Sequence, residues 1–244
     1  MIGHRGSIVP DHGNDAIDCN EQPFWREPLP ENEWLTACLT NYPKLEDLSR
    51  VVMRHGVPSC RRPLVWLFLL SVVRYGLPYD EVRKRIDCLE ETYAAWRKKL
   101  EEFKPSNPEE ASHFEEQTDI IYHDVLRFDR DYLAHHNTND NVDSVDESET
   151  EVIARLQEGM QRVLKVYVLV NRYPGYFQGM SDLLEPIYCV VRSEALAFHL
   201  FAEYMSFAGG RFEAGAADDT QVRYPGDSSL LILLRRSHPA GRER

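Results

Sequence analysis

Apolar residues in this chain recur at intervals of three and four, and nowhere do they alternate over the length of a strand. That period is the signature of helices that bury one face, so the chain is constrained to an all-α fold. Glu31–Leu39 and Pro43–His55 show the spacing through Leu35, Leu39, Leu45, Leu48, Val51 and Val52. Gly56-Val57-Pro58 stops the second segment, because a glycine past a helix end followed by proline cannot continue it. Ser59 is the expected N-cap of a third helix from about Arg61 to Tyr75, with Trp66, Leu67, Leu69, Leu70 and Val73 inward, ended by Gly76. Asp80 to about Lys104 reads as a long solvated helix, its acids and bases repeatedly three and four apart. Pro105-Ser106-Asn107-Pro108 breaks it, and Glu109 to about Arg127 resumes as helix.

Val152 to Arg172 is apolar on nearly all sides, and its β-branched residues leave a buried strand open as an alternative. Its length favours a helix, since so long a strand would have no partner in an otherwise helical chain. Leu183 to about Phe207 supplies one or two more helices, entered through Glu185-Pro186. Gly209 to Asp219 reads as loop, and Leu230–Leu234 is too short for more than about one and a half turns. Residues 1–30 read as a mobile leader and 220–244 as an irregular tail. The tract 138–151 is rich in acids, holds no aromatic residue and reads as an insertion loop between helices. It lacks the glycine and terminal glutamate of a calcium loop. Ser144 and Ser148 lie among its acids, a weak signal for an acid-directed kinase.

At 244 residues the chain suits one domain with tails, and 43% hydrophobic with 28% charged residues allows an ordinary soluble core. A formal net charge of -12, with no basic–aromatic interleaving, argues against a nucleic-acid binder. Five cysteines, odd in number and never spaced C-x-x-C, point to reduced intracellular thiols rather than a disulfide framework or zinc site. Met1 to Gly13 has no apolar core of a secretory signal. The longest apolar runs, Pro63–Val73 and Pro186–Val191, fall short of the roughly 18–20 residues that span a bilayer. A cytoplasmic protein is expected.

Three short stretches carry chemistry. Arg62-Pro63-Leu64-Val65-Trp66 follows Gly56-Val57-Pro58; Ile121-Tyr122-His123-Asp124-Val125-Leu126-Arg127 sets an acid and an arginine three apart; Tyr176-Phe177-Gln178-Gly179 follows a Pro174-Gly175 turn. Arginine and an amide are what GTP hydrolysis asks of a protein: the first neutralises charge on the transferring phosphoryl group, the second orients the attacking water. Taken singly, Arg127 is an ordinary surface ion-pair member, Gln178 a loop amide and Trp66 a core residue. Other groupings are weaker. His135-His136 beside Asp140 would be solvent-exposed histidines, and His123 beside Asp124 has no serine or cysteine nucleophile in an elbow motif.

In this order the three stretches resemble the TBC domain family, the Rab GTPase-activating proteins, whose motifs read R-x-x-x-W, I-x-x-D-x-x-R and Y-x-Q. The likeness runs from about Trp34 to Phe207, with Gly179-Met180-Ser181-Asp182 extending the third motif. The resemblance implies a helical domain over 31–219 that activates a Rab-family GTPase in its GTP form. Arg127 would be an arginine finger and Gln178 a glutamine finger, both acting in trans. Asp124 would hold the arginine, Trp66 would pack, Arg62 would brace the nearby loop, and Tyr176 with Gly179 would shape the backbone around Gln178. No G-x-x-x-x-G-K-[ST] motif is present, so no cofactor of its own is expected: GTP and magnesium would come with the partner. Peripheral association with endomembranes would follow from the partner, with a role in vesicle trafficking. Phe128 departs from the threonine usual after the finger. The similarity fades near Asp219, so the expectation is an N-terminal portion with an incomplete C-terminal lobe and at least about tenfold lower activity. The alternative is an interaction module that binds trafficking GTPases without stimulating hydrolysis, and a third reading is a poorly folded helical fragment.

Overall fold

The computed structural model describes residues 29–127, 149–171 and 175–214; the leader to residue 28, Phe128, His135-His136, the acidic residues 138–148 and the tail from 215 lie outside them. Among the described residues the structure is helical throughout, with no strand. The α-helices are α1 (Glu31–Asn41), α2 (Leu45–His55), α3 (Arg62–Leu69), α4 (Tyr79–Glu101), α5 (Pro108–Val125), α6 (Glu149–Val170), α7 (Met180–Val191) and α8 (Glu194–Ala214).

Local chemistry fixes most of the ends. α2 carries Glu46 and Asp47 in its first turn and Arg54 and His55 in its last, each favourable against the helix dipole. Gly56 closes it at φ 72°, a left-handed value that glycine reaches without strain. α5 opens on Asn107, whose side chain accepts from the Glu110 N–H at 2.7 Å, while Glu110 accepts from the Ser106 N–H at 2.6 Å. Pro108 takes the first helical position, where no N–H is needed.

Five expectations are corrected. Ser59 is no N-cap: it begins a 3₁₀ turn, Ser59–Arg61, and no side chain caps α3. α3 also stops at Leu69 rather than running to Tyr75, because the chain reverses at Ser71 (φ 60°). The Val73 N–H then reaches back to the Leu67 carbonyl at 3.0 Å, and the Tyr75 hydroxyl donates to the Tyr42 carbonyl at 2.7 Å. The acidic tract does not extend to residue 151, since α6 begins at Glu149; acids in a first turn are stabilised by the dipole. Pro186 lies inside α7 rather than at its entrance, and α8 continues through Gly209-Gly210 to Ala214. In α7 the start is set from outside, by the contacts of Gly179 described below. In α8 the buried turn at Tyr204 and Met205 anchors the helix, and propagation past it costs only about 1 kcal/mol per glycine.

α6 is the central element, packed against α4, α5, α7 and α8. Met160, Val163, Leu164 and Val166 are wholly buried, as a helix apolar on nearly all sides requires. Its crossing with α7 is close at Gly159, where an added Cβ would stand 1.9 Å from the Tyr188 hydroxyl oxygen. A polar tie holds three helices together: Arg162 (α6) donates to Glu194 (α8) through Nε at 3.0 Å and Nη2 at 2.8 Å. The other Glu194 oxygen accepts from the Tyr93 hydroxyl (α4) at 3.0 Å. Burial and the neighbouring carboxylate push the Tyr93 phenol well above its usual range. α3 is buried from Leu64 to Leu69 and packs on α2 and α7.

Candidate functional site

The inward stripe of α5 is Phe114, Gln117, Thr118, Ile121, Asp124 and Val125, at the intervals of three and four that one helical face demands. Ile121 and Val125 are fully buried and fix the end of the helix against the core. Between them Asp124 is turned inward at 4% exposure. A carboxylate so placed is costly unless its oxygens are filled by donors. Here they are: Oδ2 accepts from the Tyr176 hydroxyl at 2.8 Å and from the Gly179 N–H at 2.9 Å. Oδ1 accepts from the Arg127 guanidinium, one turn along. Ser181, the other polar side chain buried to this degree among the described residues, belongs to the same cluster. Its backbone N–H donates to the Tyr176 hydroxyl at 3.2 Å. Burial raises the Tyr176 phenol above its ordinary 10.0, so it stays a neutral donor to Asp124.

The loop before α7 is shaped to meet this carboxylate. Gly175 and Gly179 both adopt positive φ, 87° and 90°. At Gly179 space is not the constraint, since an added Cβ would meet nothing nearer than the Asp182 carboxylate at 3.9 Å. The conformation is: φ 90° is what turns its N–H onto Asp124 and starts α7 at Met180. The Phe177 N–H points at the Met180 sulfur, 3.0 Å away, and the Tyr176 N–H donates to Oε1 of Gln117 on α5. From the other side, Gln157 of α6 donates to the Val125 carbonyl at 3.3 Å.

Two side chains leave this buried frame for the surface. Arg127 is 61% exposed while held by Asp124 beneath it. Gln178 is exposed on the loop between its anchored neighbours Tyr176 and Gly179. With the Gln178 amide oxygen facing Arg127, the orientation that matches donors to acceptors, it accepts from Nη1 at 3.3 Å and Nη2 at 3.1 Å. A permanent planar cation and a primary amide are thus presented side by side. Together they can bind an anion's oxygens and orient a water molecule beside it.

Asp124, Arg127, Tyr176, Gln178 and Gly179 therefore form one cluster. Arg62 and Trp66 lie on α3, which reaches this region through its packing on α7. Arg62 donates from Nε to the Val57 carbonyl at 3.1 Å, bracing the bend between α2 and α3, and Trp66 is 1% exposed in the core. Ser181, which extends the third motif in the sequence, joins the cluster, and Gln117 and Gln157 complete it without having been singled out from the sequence. For Gln117 a signal existed: it is a polar residue at an inward position of an amphipathic stripe, as Asp124 is. Among the described residues no three of His, Cys, Asp and Glu group as a metal site would need. Cys38, Cys60, Cys88 and Cys189 are free thiols, and burial pushes Cys38 and Cys189 up to about 12. No helix of the described residues is long and apolar enough to cross a membrane.

Residues 59–213 match the model of the Rab-GTPase-TBC domain. Among curated proteins, the chain is 28% identical over 210 residues to "GTPase-activating protein GYP7" of Yarrowia lipolytica, covering 81% of this chain and 28% of that protein. It is 30% identical over 240 residues to "TBC1 domain family member 17" of Mus musculus, covering 93% and 33%. Against "GTPase-activating protein gyp7" of Schizosaccharomyces pombe it is 31% identical over 179 residues, covering 70% and 23%. The chain thus spans about a quarter to a third of the length of these relatives. The family match runs from the turn before α3 into α8 and contains every residue of the Asp124 cluster, so the chain belongs to the Rab-GTPase-TBC domain family.

Proposed function

We propose that this chain is a GTPase-activating protein for a Rab-family small GTPase in its GTP form, to which it supplies Arg127 and Gln178 in trans. The observation that carries the reading is the pairing of those two exposed side chains over a single buried carboxylate. Phosphoryl transfer passes through a state with charge spread over three equatorial oxygens, and little covalent chemistry is left for a protein to do. What helps is charge fixed in place beforehand, because a preorganised group need not rearrange as the barrier is crossed. Asp124 meets that condition for Arg127, and through Gly179 and Tyr176 for Gln178. The guanidinium would bridge oxygens of the γ-phosphoryl group, and the amide would orient the attacking water. Nucleotide and magnesium would arrive with the partner. The family of the relatives, and the GTPase-activating names two of them bear, support the same reading. On this reading the chain works in the cytoplasm, in vesicle trafficking, and meets endomembranes through the GTPase it engages.

An arginine supplied in trans is worth about 10³–10⁵ in turnover, or roughly 4–7 kcal/mol. Single-turnover GTP hydrolysis by a panel of Rab proteins, with and without the full chain, is the test. Acceleration that Arg127→Ala abolishes, and that Gln178→Ala strongly reduces, is expected. Equal acceleration by Arg127→Ala would remove the basis of the assignment. Binding of GTP-loaded Rab with an unchanged hydrolysis rate would instead favour a non-catalytic interaction module.

A further inference from the structure

We infer that Gln117 is a positioning residue for Gln178, setting the angle at which that amide is presented; the inference rests on the function proposed above. Gln117 lies seven residues before Asp124 on the same face of α5, two turns or about 10 Å along the axis. Its Oε1 accepts from the backbone N–H of Tyr176, while Asp124 takes the Tyr176 hydroxyl and the Gly179 N–H. The loop that bears Gln178 is therefore pinned to one rigid helix at two separate levels. An anchor at one level fixes position but leaves the loop free to pivot about it. The second level removes the pivot, and Gln178 lies between the pinned residues Tyr176 and Gly179.

Gln117 is half-buried, packed in the same stripe as Phe114, Thr118 and Ile121. An amide there is not needed for packing, since an apolar side chain of equal length would fill the space. What the position requires is an acceptor aimed at the loop. Misplacement of a reacting group by about 1 Å costs up to about a hundredfold in rate, so a lost pivot stop is read in turnover rather than in binding.

Three variants of the full chain separate this role from simple stability. Gln117→Met keeps the length and exchanges the amide oxygen for a thioether, a much weaker acceptor; Gln117→Ala opens room for water at the Tyr176 N–H; Gln117→Glu keeps an acceptor oxygen. In single-turnover hydrolysis with a responsive Rab, Met and Ala are expected to lower the maximal rate about tenfold, with affinity for GTP-loaded Rab changed less than about twofold. Gln117→Glu is expected to stay within about threefold of the unaltered chain. Amide hydrogen exchange at Tyr176, read without any GTPase, should quicken in Met and Ala and stay slow in Glu. Full turnover in both Met and Ala, or a Glu variant no better than Met, overturns the inference. Unchanged Tyr176 exchange in all three overturns it independently of activity. Arg127→Ala serves as the reference: if it too leaves acceleration intact, the proposed function fails, whereas if it alone abolishes acceleration, only the role of Gln117 fails.

Discussion

Replacing Asp124 with asparagine keeps the shape of the side chain but removes a charge and exchanges one acceptor for a donor. The two carboxylate oxygens do different work, so the result depends on which one the amide nitrogen replaces. Oδ2 serves two donors held inside the frame, the buried Tyr176 hydroxyl and the partly buried Gly179 N–H. Oδ1 serves Arg127, whose side chain is 61% exposed and can swing into solvent. The asparagine oxygen will therefore keep the Oδ2 position, and the new NH₂ will face and expel the guanidinium. Losing a half-exposed charge-assisted bond costs about 1 kcal/mol, so the fold should survive. Alanine removes both oxygens and strands two donors, one buried and one partly buried, each worth about 1.5–3 kcal/mol against a charged acceptor, or about 3–6 kcal/mol together. Chemical denaturation of the two variants reads this difference directly. Hydrolysis should order them differently: asparagine, though well folded, is expected to lower GTPase acceleration about 10–100-fold, roughly 1.4–2.7 kcal/mol, because Arg127 is no longer fixed. Equal stability losses for the two variants would refute the division of labour between the oxygens. Unimpaired acceleration by Asp124→Asn would refute the claim that Asp124 positions the arginine.

Gly159→Ala gains about 1 kcal/mol in helix propensity but drives a methyl into the Tyr188 ring, an overpacking cost of about 1–3 kcal/mol. A net loss of about 1 kcal/mol in urea denaturation is expected, and Tyr188→Phe should relieve it only in part, since it removes the nearest atom but leaves the ring Cζ 2.6 Å from the added methyl. His199 donates from Nε2 to the Leu89 carbonyl at 3.0 Å, and burial holds its imidazole below the ordinary 6.5. Below that value the unfolded chain binds the proton more readily, so stability is complete above about pH 6.5 and falls as the pH drops toward the folded value. Urea midpoints at about pH 7.5 and about pH 5.5 should show a smaller fall in His199→Gln than in the unaltered chain. Ser71→Gly places glycine at φ 60° on an exposed turn and is expected to raise stability by up to about 1 kcal/mol, checked by the same denaturation.

The helical class and most of the helices were legible because burial of one face imposes a period on the sequence. Ends were read well where a glycine or proline enforces them, as at Gly56 and Pro108, and poorly where tertiary contacts set them. α3 ends at Leu69, two residues before a serine in a left-handed conformation that no local propensity announces, and α7 begins before its proline because a carboxylate on α5 catches the Gly179 N–H. The site was legible as an ordered set of motifs in one chain. What remained hidden was the convergence of three donors on Asp124, and with it Gln117. Spacing along α5 puts Gln117 and Asp124 on one face, but the loop that uses them is far away in sequence.

That distance has a consequence of its own. The bond from Tyr176 to Asp124 closes a ring of chain 52 residues around. The entropy of closing such a ring grows only with the logarithm of its length, so inserting ten residues of unstructured chain between α5 and α6 would cost about 0.2 kcal/mol. The carboxylate and its partners, by contrast, meet within about 3 Å whatever the length of the path between them. Length and geometry are thereby uncoupled: the connection can grow or shrink almost without thermodynamic penalty, while a single misplaced atom at Asp124 is felt at once on both sides of the ring.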